Sequence, residues 1–342
     1  MSADLRVGVI GAGFIGRVHM ERFAAADGVS VVACADMSPE LRAAAAKKYG
    51  LDREYADASA LIEDQEIDAV VVAVPNRFHA PLTIEALNAG KHVLVEKPMG
   101  LDQASAKEIY NASASSGKTV MVAHQMRWMP AVQEAKRMAD AGELGKVYNA
   151  KCGMMRRKNI PGWGSWFTRM NESGGGPLID IGVHVLDMTM WLLGDPKPVS
   201  VFGSTYAEFG PRKKGLGSWG TPDWNGIFDV EDLATAMIKM DDGSTLTLDV
   251  SWAVNTLSDN KHQIDLMGTE GGVSIRGNDL TFTAQKFDRP IDVATTPAGP
   301  DARDLLAQHF VDCIKSGKRP ISDALSGLVN NTILSAIYDS AR

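Results

Sequence analysis

Three features of the sequence predict an α/β Rossmann doubly wound parallel sheet plus an α+β domain with an open, mainly antiparallel sheet. Residues 5 to about 124 alternate short apolar runs with helical patterns. A glycine-rich segment follows the first apolar run directly. Beyond residue 124 this alternating pattern ends and the composition changes, since all seven tryptophans lie there. Because 342 residues suit two domains, we predict a first domain at residues 1–124 and a second at 125–342.

The strands of the first domain are predicted from apolar runs that lack period-two alternation. Such runs suit parallel strands that are buried on both faces. Ser38-Pro39-Glu40 provides an N-cap, a proline in the first turn and an acidic residue for one intervening helix, and Gly50 ends it. The predicted strands are residues 5–10, 30–35, 69–74, 92–95 and 119–123, and the other helices are 80–89 and 102–116.

The second domain is predicted as a run of strands flanked by helices, which is typical of an α+β architecture. Two β-rich runs joined by Asp241-Asp242-Gly243 indicate a hairpin over residues 229–253. The other predicted elements are helices at 130–141, 177–193, 301–316 and 321–340, strands at 146–155, 262–268, 272–276 and 280–286, and a Gly-, Arg- and Trp-rich loop at 156–177.

Composition excludes several classes of function. The net charge is −7 and no basic run appears, so we expect no nucleic-acid partner. No apolar stretch approaches the roughly 18 residues that span a bilayer, and Met1 to Leu5 lead directly into a strand, so we expect neither a membrane segment nor a signal peptide. Only Cys34, Cys152 and Cys313 occur, which indicates no disulfide framework and favours a reducing cytoplasm.

The segment from Gly11 to Gly16 has the pattern of a dinucleotide-binding loop. Gly11 allows the tight turn, Gly13 allows a pyrophosphate to approach the backbone, and Gly16 allows close packing of helix and strand. The start of the following helix, with Phe14 and Ile15, supplies amide donors for phosphate. Asp36 ends the second predicted strand and suits the two ribose hydroxyls of NAD, whereas it would repel the 2′-phosphate of NADP. The sequence therefore predicts NAD as the cofactor. The alternative is a glycine turn with an incidental acid.

Glu96-Lys97-Pro98 places a charged pair at the exit of a buried strand. Because the carboxyl ends of strands in a doubly wound sheet face the ligand crevice, Lys97 is expected to point into a site, with Glu96 helping to place it beside the cofactor. The alternative is a surface turn with a solvated lysine.

Asp180 and His184 are four residues apart on a predicted helix that is apolar almost all round. A buried aspartate orients an imidazole and raises its basicity, as a general base for an alcohol proton requires. A structural Asp–His hydrogen bond and a metal site are the alternatives. No third ligand lies suggestively nearby, so we expect no metal.

Further polar and aromatic residues are candidates for binding. Asn76 and His79 follow the strand predicted at 69–74, where they could contact the ribose or amide of the cofactor or simply form a turn and a helix start. Tryptophan faces stack on sugar rings, and arginine and asparagine bind hydroxyls, although a plain surface loop is the alternative. The substrate-binding candidates are Lys97, Arg127, Arg157, Asn159, Trp163, Trp166, Asp180 and His184.

Taken together, Gly11 to Gly16, Glu96-Lys97-Pro98 and the run from Gly174 to His184 resemble the Gfo/Idh/MocA family of glucose–fructose oxidoreductase and inositol dehydrogenase. The resemblance covers essentially the whole chain. It implies a Lys, Asp and His trio, here Lys97, Asp180 and His184, whose order and spacing are most similar to inositol dehydrogenase. It also implies a second domain that forms homodimers or homotetramers. Val74 departs from the family, which often has Thr or Ser there.

From this resemblance we expect an NAD-dependent dehydrogenase of a sugar, cyclitol or sugar derivative. The residues from Arg156 to Trp166 resemble the loop of members that act on sugars or anhydrosugars. Lys97 and His184 could exchange roles as the base. The alternatives are a sensor that retains its cofactor without turnover, and an enzyme that recycles tightly bound NAD in a hydrolytic or epimerising cycle.

Overall fold

The computed structural model describes residues 4–257 and 260–342. The chain divides into two compact units. The first comprises residues up to Gln125 together with Asp301–Asn331, and the second comprises Met126–Pro300 together with Thr332–Arg342.

The first unit contains a parallel six-stranded sheet in the order β3-β2-β1-β4-β5-β6, which confirms the predicted doubly wound architecture. The order reverses between β1 and β4, and in such sheets ligands bind at the carboxyl ends of the strands beside this reversal. The strands are β1 Leu5–Ile10, β2 Val29–Ala35, β3 Arg53–Tyr55, β4 Ala69–Val72, β5 His92–Val95 and β6 Val120–Val122. The helices before residue 125 are α1 Phe14–Ala25, α2 Pro39–Tyr49, α3 Ala58–Glu63, α4 His79–Asn88 and α5 Gln103–Ser116.

The predicted ends of the first-unit helices have clear local causes. The Ser38 side chain accepts a hydrogen bond from the Leu41 amide at the start of α2, and Gly50 ends that helix in the left-handed region at a φ of 64°. Asp102 and Ser105 form a reciprocal capping box at the start of α5. The sequence did not indicate β3 and α3, because both are short and carry too little periodicity.

The second unit contains an eight-stranded sheet in the order β14-β13-β12-β11-β7-β10-β9-β8. Only β7 and β10 pair in parallel among these described strands, so the predicted mainly antiparallel sheet is confirmed. Its strands are β7 Val147–Met155, β8 Pro198–Tyr206, β9 Leu233–Met240, β10 Thr245–Ser251, β11 Gln263–Gly268, β12 Gly271–Arg276, β13 Asp279–Lys286 and β14 Arg289–Thr295. The remaining helices of the chain are α6 Pro130–Asp140, α7 Met170–Ser173, α8 Val183–Leu192, α9 Ala302–Ser316 and α10 Ala324–Ala341.

The sequence did not predict β8 and β14, the two edge strands of this sheet. Most of their residues are exposed or half-buried, so neither strand shows the regular alternation of buried and exposed positions that marks a half-buried strand. The predicted hairpin is confirmed, because β9 and β10 pair in antiparallel register.

Residues 301–331 were expected in the second domain, but the structure assigns them to the first unit. The Phe310 ring on α9 packs edge-on against the Phe23 ring on α1, with 6.1 Å between the ring centroids. The Ser322 hydroxyl donates to the Val122 carbonyl of β6. Helical periodicity indicates that a C-terminal helix has a buried face, but it does not say which sheet that face covers.

Among the described residues, no helix is both long and apolar enough to cross a bilayer. The cysteines Cys34, Cys152 and Cys313 are buried free thiols.

The contact between α1 and α9 leads to a prediction for stability. Replacing the fully buried Phe310 by alanine should lower the free energy of unfolding by about 3–5 kcal/mol, because it removes apolar contacts and leaves a cavity. Urea unfolding of Phe310→Ala measures this loss. Phe287→Ala is the matched control, since that side chain is 94% exposed and should change stability by about 0.5 kcal/mol or less. Equal effects of the two variants would contradict the assignment of α9 to the core of the first unit.

Candidate active site

The glycine loop of the first unit has the geometry that close approach of a pyrophosphate requires. Gly11 has a φ of +98°, and a Cβ there would lie 2.3 Å from the Ala73 carbonyl oxygen. A Cβ on Gly16 would lie 1.8 Å from the Gly11 oxygen, so only glycine lets α1 pack this closely. A Cβ on Gly13, in contrast, would meet no atom of the described chain within 4 Å beyond its immediate neighbours. The open side of the loop is therefore at Gly13, directly before Phe14 and Ile15 at the start of α1.

Asp36 joins the end of β2 to this loop. Its Oδ2 atom accepts a hydrogen bond from the Ala12 amide at 2.8 Å, and its Oδ1 atom accepts one from the Ser38 amide at 2.9 Å. Each carboxylate oxygen retains capacity for a further hydrogen bond, so two adjacent hydroxyls of a ribose can still be bound. The loop and this carboxylate together fit NAD.

Glu96, directly after β5, is held in the interior by His19 of α1. The Glu96 Oε1 atom lies 2.7 Å from the His19 Nε2 atom, and Oε2 accepts a hydrogen bond from the Lys97 amide at 3.1 Å. Burial alone would raise the pKa of Glu96, but the hydrogen bond and charge of His19, with the charge of Lys97, lower it below its ordinary value. The sequence reasoning missed His19. Its only signal was a histidine one turn into the helix that follows the glycine loop.

The other side of Lys97 is held by His79, whose ring nitrogens both face backbone carbonyls. Nδ1 lies 2.7 Å from the Pro98 oxygen and Nε2 lies 2.9 Å from the Val74 oxygen. The His79 ring is buried, and burial lowers its pKa. A neutral imidazole donates from one nitrogen only, so one of these two carbonyls accepts a hydrogen bond from His79, which braces the turn that carries the half-buried Lys97. Because both nitrogens face the chain itself, we do not propose His79 as a cofactor contact. Asn76 is buried in the short turn before α4.

In the second unit, Asp180 lies in a π-helical turn, Leu178–Gly182, that leads directly into α8 and His184. The sequence predicted a continuous helix here, and π-turns inside helices occur frequently at functional sites. The Asp180 Oδ2 atom accepts a hydrogen bond from the Nε1 atom of the fully buried Trp252 at 3.0 Å. Asp180 and His184 are both half-buried. Trp252 thus orients the carboxylate one turn before the imidazole.

A second buried carboxylate, Glu231, holds the start of this helical segment. It accepts hydrogen bonds from the Gly176 amide at 2.9 Å, the Leu178 amide at 3.0 Å and the Tyr338 hydroxyl at 2.9 Å. Burial raises the pKa of Glu231 above its ordinary value, while these donors oppose that shift. A Cβ on Gly176 would lie 2.0 Å from the Glu231 carbonyl oxygen, which explains a glycine at this position. The sequence reasoning missed Glu231, because its partners are remote in the chain.

The candidate residues of the predicted substrate loop differ in their burial. Trp163 is buried, donates to the Gly210 carbonyl at 2.8 Å, and stacks against the rings of Trp224 and Phe228. Its ring is therefore packed among other side chains of the protein, and we do not propose it as a sugar-stacking residue. Trp166 is half-buried and lies against Phe167. Among the polar candidates of this loop, Arg157 is exposed and Asn159 is half-buried.

Arg127, which was predicted to bind substrate, lies buried against α8. Its guanidinium is buried and binds Asp187 of α8 through Nε at 2.7 Å and Nη2 at 2.6 Å. This bidentate pair joins the segment before α6 to α8 inside the second unit. Because its guanidinium is paired with Asp187, we do not propose Arg127 as a substrate-binding residue.

The fold and the loop geometry define an NAD-binding oxidoreductase with a Rossmann domain and a second, mostly antiparallel sheet. Two family descriptions match the chain. One, an oxidoreductase family with an NAD-binding Rossmann fold, matches residues 5–124, and the other, the GFO/IDH/MocA C-terminal domain, matches residues 132–274. The chain belongs to the Gfo/Idh/MocA family, which confirms the resemblance seen in its motifs.

Known dehydrogenases are similar to this chain over most of their length. D-glucoside 3-dehydrogenase of Escherichia coli (strain K12) is 31% identical over 99% of this chain and 96% of its own. The scyllo-inositol 2-dehydrogenase (NAD(+)) of Bacillus subtilis (strain 168) is 28% identical over 100% and 95%. A solved structure of levoglucosan dehydrogenase with NADH and levoglucosan is 26% identical, covers 99% of this chain and 97% of that chain, and has a TM-score of 0.88. The chain is therefore an NAD-dependent dehydrogenase acting on CH–OH groups.

The buried pair of His19 and Glu96 leads to a second prediction. His19→Leu should lower the free energy of unfolding by about 3–5 kcal/mol, because it leaves the Glu96 carboxylate buried without its main donor. Adding Glu96→Gln should restore part of the loss, since the second change removes the uncompensated charge. A double-mutant cycle by urea unfolding at pH 7 measures the coupling.

The surface pair of half-buried Glu134 and exposed Arg137 on α6 is the control cycle, and its coupling should be about 0.5 kcal/mol or less. If the coupling of His19 with Glu96 is no larger than that of the control pair, then His19 does not hold the carboxylate in the way described.

Proposed function

We propose that the protein moves a hydride between NAD and a hydroxyl-bearing carbon of a sugar, cyclitol or sugar derivative, with Lys97, Asp180 and His184 handling the proton. The observation that carries this proposal is the Asp180–His184 segment, whose π-turn is held by Trp252 and Glu231. A carboxylate held by a fully buried indole, on a turn whose start is held by a second, buried carboxylate, is more than a solvated helix face needs.

The proposed proton path uses atoms of this chain. The His184 imidazole takes the hydroxyl proton of the substrate, and the Asp180 carboxylate stabilises the imidazolium that forms. The Lys97 ammonium stabilises the negative charge that develops on the substrate oxygen. NAD, when bound, accepts the hydride from the same carbon. Lys97 and His184 are also compatible with exchanged roles, in which the lysine takes the proton.

The proposed cofactor contacts are made by the glycine loop, the end of β2 and the turns after β4 and β5. The glycine loop binds the pyrophosphate, and Asp36 accepts the ribose hydroxyls. The full proposed set is Gly11, Gly13, Phe14, Ile15, Gly16, Asp36, Asn76, Glu96 and Lys97. Arg157, Asn159 and Trp166 are the proposed substrate contacts outside the Lys97, Asp180 and His184 trio.

The substrate class is supported by the relatives, whose names specify a glucoside, an inositol and levoglucosan. These are small polyols or carbohydrates with several secondary hydroxyls. We also propose a reducing, cytoplasmic location, which the three free thiols support.

The direct test is NADH formation across a panel of inositols, monosaccharides, glycosides and anhydrosugars. On the best substrate, Lys97→Met and His184→Asn should each lower kcat by about 10²-fold or more, because each removes a group that handles the proton or its charge. Lys47→Met is the control for loss of a lysine, since Lys47 is exposed on α2.

Near-wild-type turnover in both site variants would eliminate the mechanism. NADH that stays with the protein through gel filtration without added substrate would instead favour the alternative cycle that recycles bound NAD. Absence of turnover with intact NAD binding would favour the sensor.

The preference for NAD over NADP is tested at the end of β2. A combined Asp36→Ala and Met37→Arg exchange should raise the affinity for NADP relative to NAD, since it replaces a repelling carboxylate by a cation. Dissociation constants of NADH and NADPH, measured by fluorescence titration, give the ratio. An unchanged ratio would undercut the role of Asp36.

We further propose that the protein forms a homodimer or homotetramer through the open face of its eight-stranded sheet. Phe202 of β8 and Met237 of β9 are paired neighbours on that face, and they are 75% and 52% exposed. Lys239, Lys151 and Asp249 share the face through the strand register. An apolar patch beside charges of both signs suits pairing with a second copy of itself.

Introducing like charges into this patch should weaken the assembly. Phe202→Glu combined with Met237→Glu should shift the mass in light scattering towards the monomer, while Phe287→Glu on the exposed loop between β13 and β14 should not. A wild-type protein that is monomeric at micromolar concentration would contradict the proposed interface.

A further inference from the structure

Two chain segments of the second unit bring five cations together. The parallel bridge between Ile160 and Leu216 sets their register, and the Ile160 amide donates to the Gly215 carbonyl at 2.9 Å. The Gly217 amide returns a hydrogen bond to the Ile160 carbonyl at 2.9 Å. Lys214 directly precedes Gly215, and Lys158 lies two residues before Ile160, so the two basic segments approach each other at this bridge. We call these cations the basic strip: Arg156, Arg157, Lys158, Lys213 and Lys214.

Four of the five cations of the basic strip have no ion-pair partner within the described part of the chain. No ion pair there involves Arg157, Lys158, Lys213 or Lys214. Three described acids of neighbouring segments have other partners.

These three acids are Glu208, Asp223 and Asp232. Glu208 pairs with Arg212 and Asp223 pairs with Arg169. Asp232 accepts from the amides of Phe209 and Gly210. The Lys213 ammonium lies 4.4 Å from the centroid of the Trp163 ring, which holds its stem in place without cancelling its charge. The strip is therefore a positive surface on a chain whose net charge is −7.

One end of the basic strip lies beside the candidate acid–base group. Arg156 directly follows β7, and its amide donates to the Ser251 carbonyl at 3.0 Å. The next residue, Trp252, is the one that donates to Asp180. The Arg156 guanidinium is half-buried and donates to the Met154 sulfur, which is a weak acceptor. Burial lowers the pKa of Arg156, and the charge of Asp180 opposes this shift, in keeping with their proximity.

Two exposed arginines or lysines on a surface commonly do no more than keep a protein soluble. The basic strip differs in three respects. Its cations come from two segments, the Arg156 side chain is half-buried, and Arg156 lies next to Asp180. Guanidinium and ammonium groups in such an arrangement bind carboxylate or phosphate oxygens through charge-assisted hydrogen bonds.

We propose that the basic strip binds an anionic group carried by the substrate, so that the substrate is an acidic sugar derivative with a carboxylate or a phosphate. This inference rests on the proposed function for the position of the reacting hydroxyl. Arg156 and Arg157 hold the anionic group, and Lys158 and Lys214 raise its local concentration and strengthen its binding.

The test compares matched ligands on the full-length protein. Methyl glucoside, methyl glucuronoside and glucose 6-phosphate are titrated by calorimetry and are also assayed for NADH formation at low and high ionic strength. We expect at least about 10-fold tighter binding of an acidic ligand than of the neutral glucoside at low salt, with the difference shrinking at high salt. The glucuronoside and the phosphate then show which anion is preferred.

The variant with Lys158→Gln and Lys214→Gln should lower the ratio of acidic to neutral affinity by about 5-fold or more. The control with Lys47→Gln and Lys107→Gln removes two exposed lysines of the first unit and should leave this ratio unchanged. Equal binding of acidic and neutral ligands, or a ratio that the strip variant does not alter, overturns the proposal. Because binding is measured apart from turnover, acidic ligands that bind more tightly than the glucoside without NADH formation would support the anion site, and the substrate panel above would then decide the proposed function.

Discussion

A buried carboxylate needs hydrogen-bond donors, and this requirement determines the local backbone around the candidate catalytic residues in each of the two units. In the first unit, Glu96 is satisfied by His19 and by the Lys97 amide. In the second, Glu231 is satisfied by the Gly176 and Leu178 amides and by the Tyr338 hydroxyl. Leaving either group without donors would cost several kcal/mol, so the local backbone can take few other conformations. The backbone held by the first carries Lys97, and that held by the second leads to Asp180 and His184.

Rigid placement of these side chains matters because general acid–base chemistry depends on distances of a few tenths of an ångström. The turn with Lys97 is fixed from both sides, by Glu96 and by His79. Asp180 is fixed by the indole of Trp252, which is itself fully buried. Residues such as His19, Trp252 and Glu231 therefore support the proposed chemistry without being expected to touch substrate.

The basic strip is a local group of positive charges that neither the net charge nor a continuous basic run in the sequence reveals. The chain is acidic overall, and its cations at 156–158 and 213–214 are separated by more than fifty residues. The two groups approach each other where Ile160 pairs with Leu216. The same holds for the aromatic residue Trp163, which was predicted to stack on sugar but is buried and packs against Trp224 and Phe228.

The sequence by itself determined the doubly wound sheet, the hairpin, the helix caps and the glycine loop, because each of these depends on residues close together in the chain. The motifs at Lys97 and at Asp180 and His184 could also be recognised locally. Tertiary structure alone decided that residues 301–331 join the first unit, that Arg127 and His79 are committed to Asp187 and to backbone carbonyls, and that His19 and Glu231 act as donor and acceptor for remote partners. These contacts join residues that are far apart in sequence. The periodicity and spacing of residues do not specify which buried polar groups become hydrogen-bond partners.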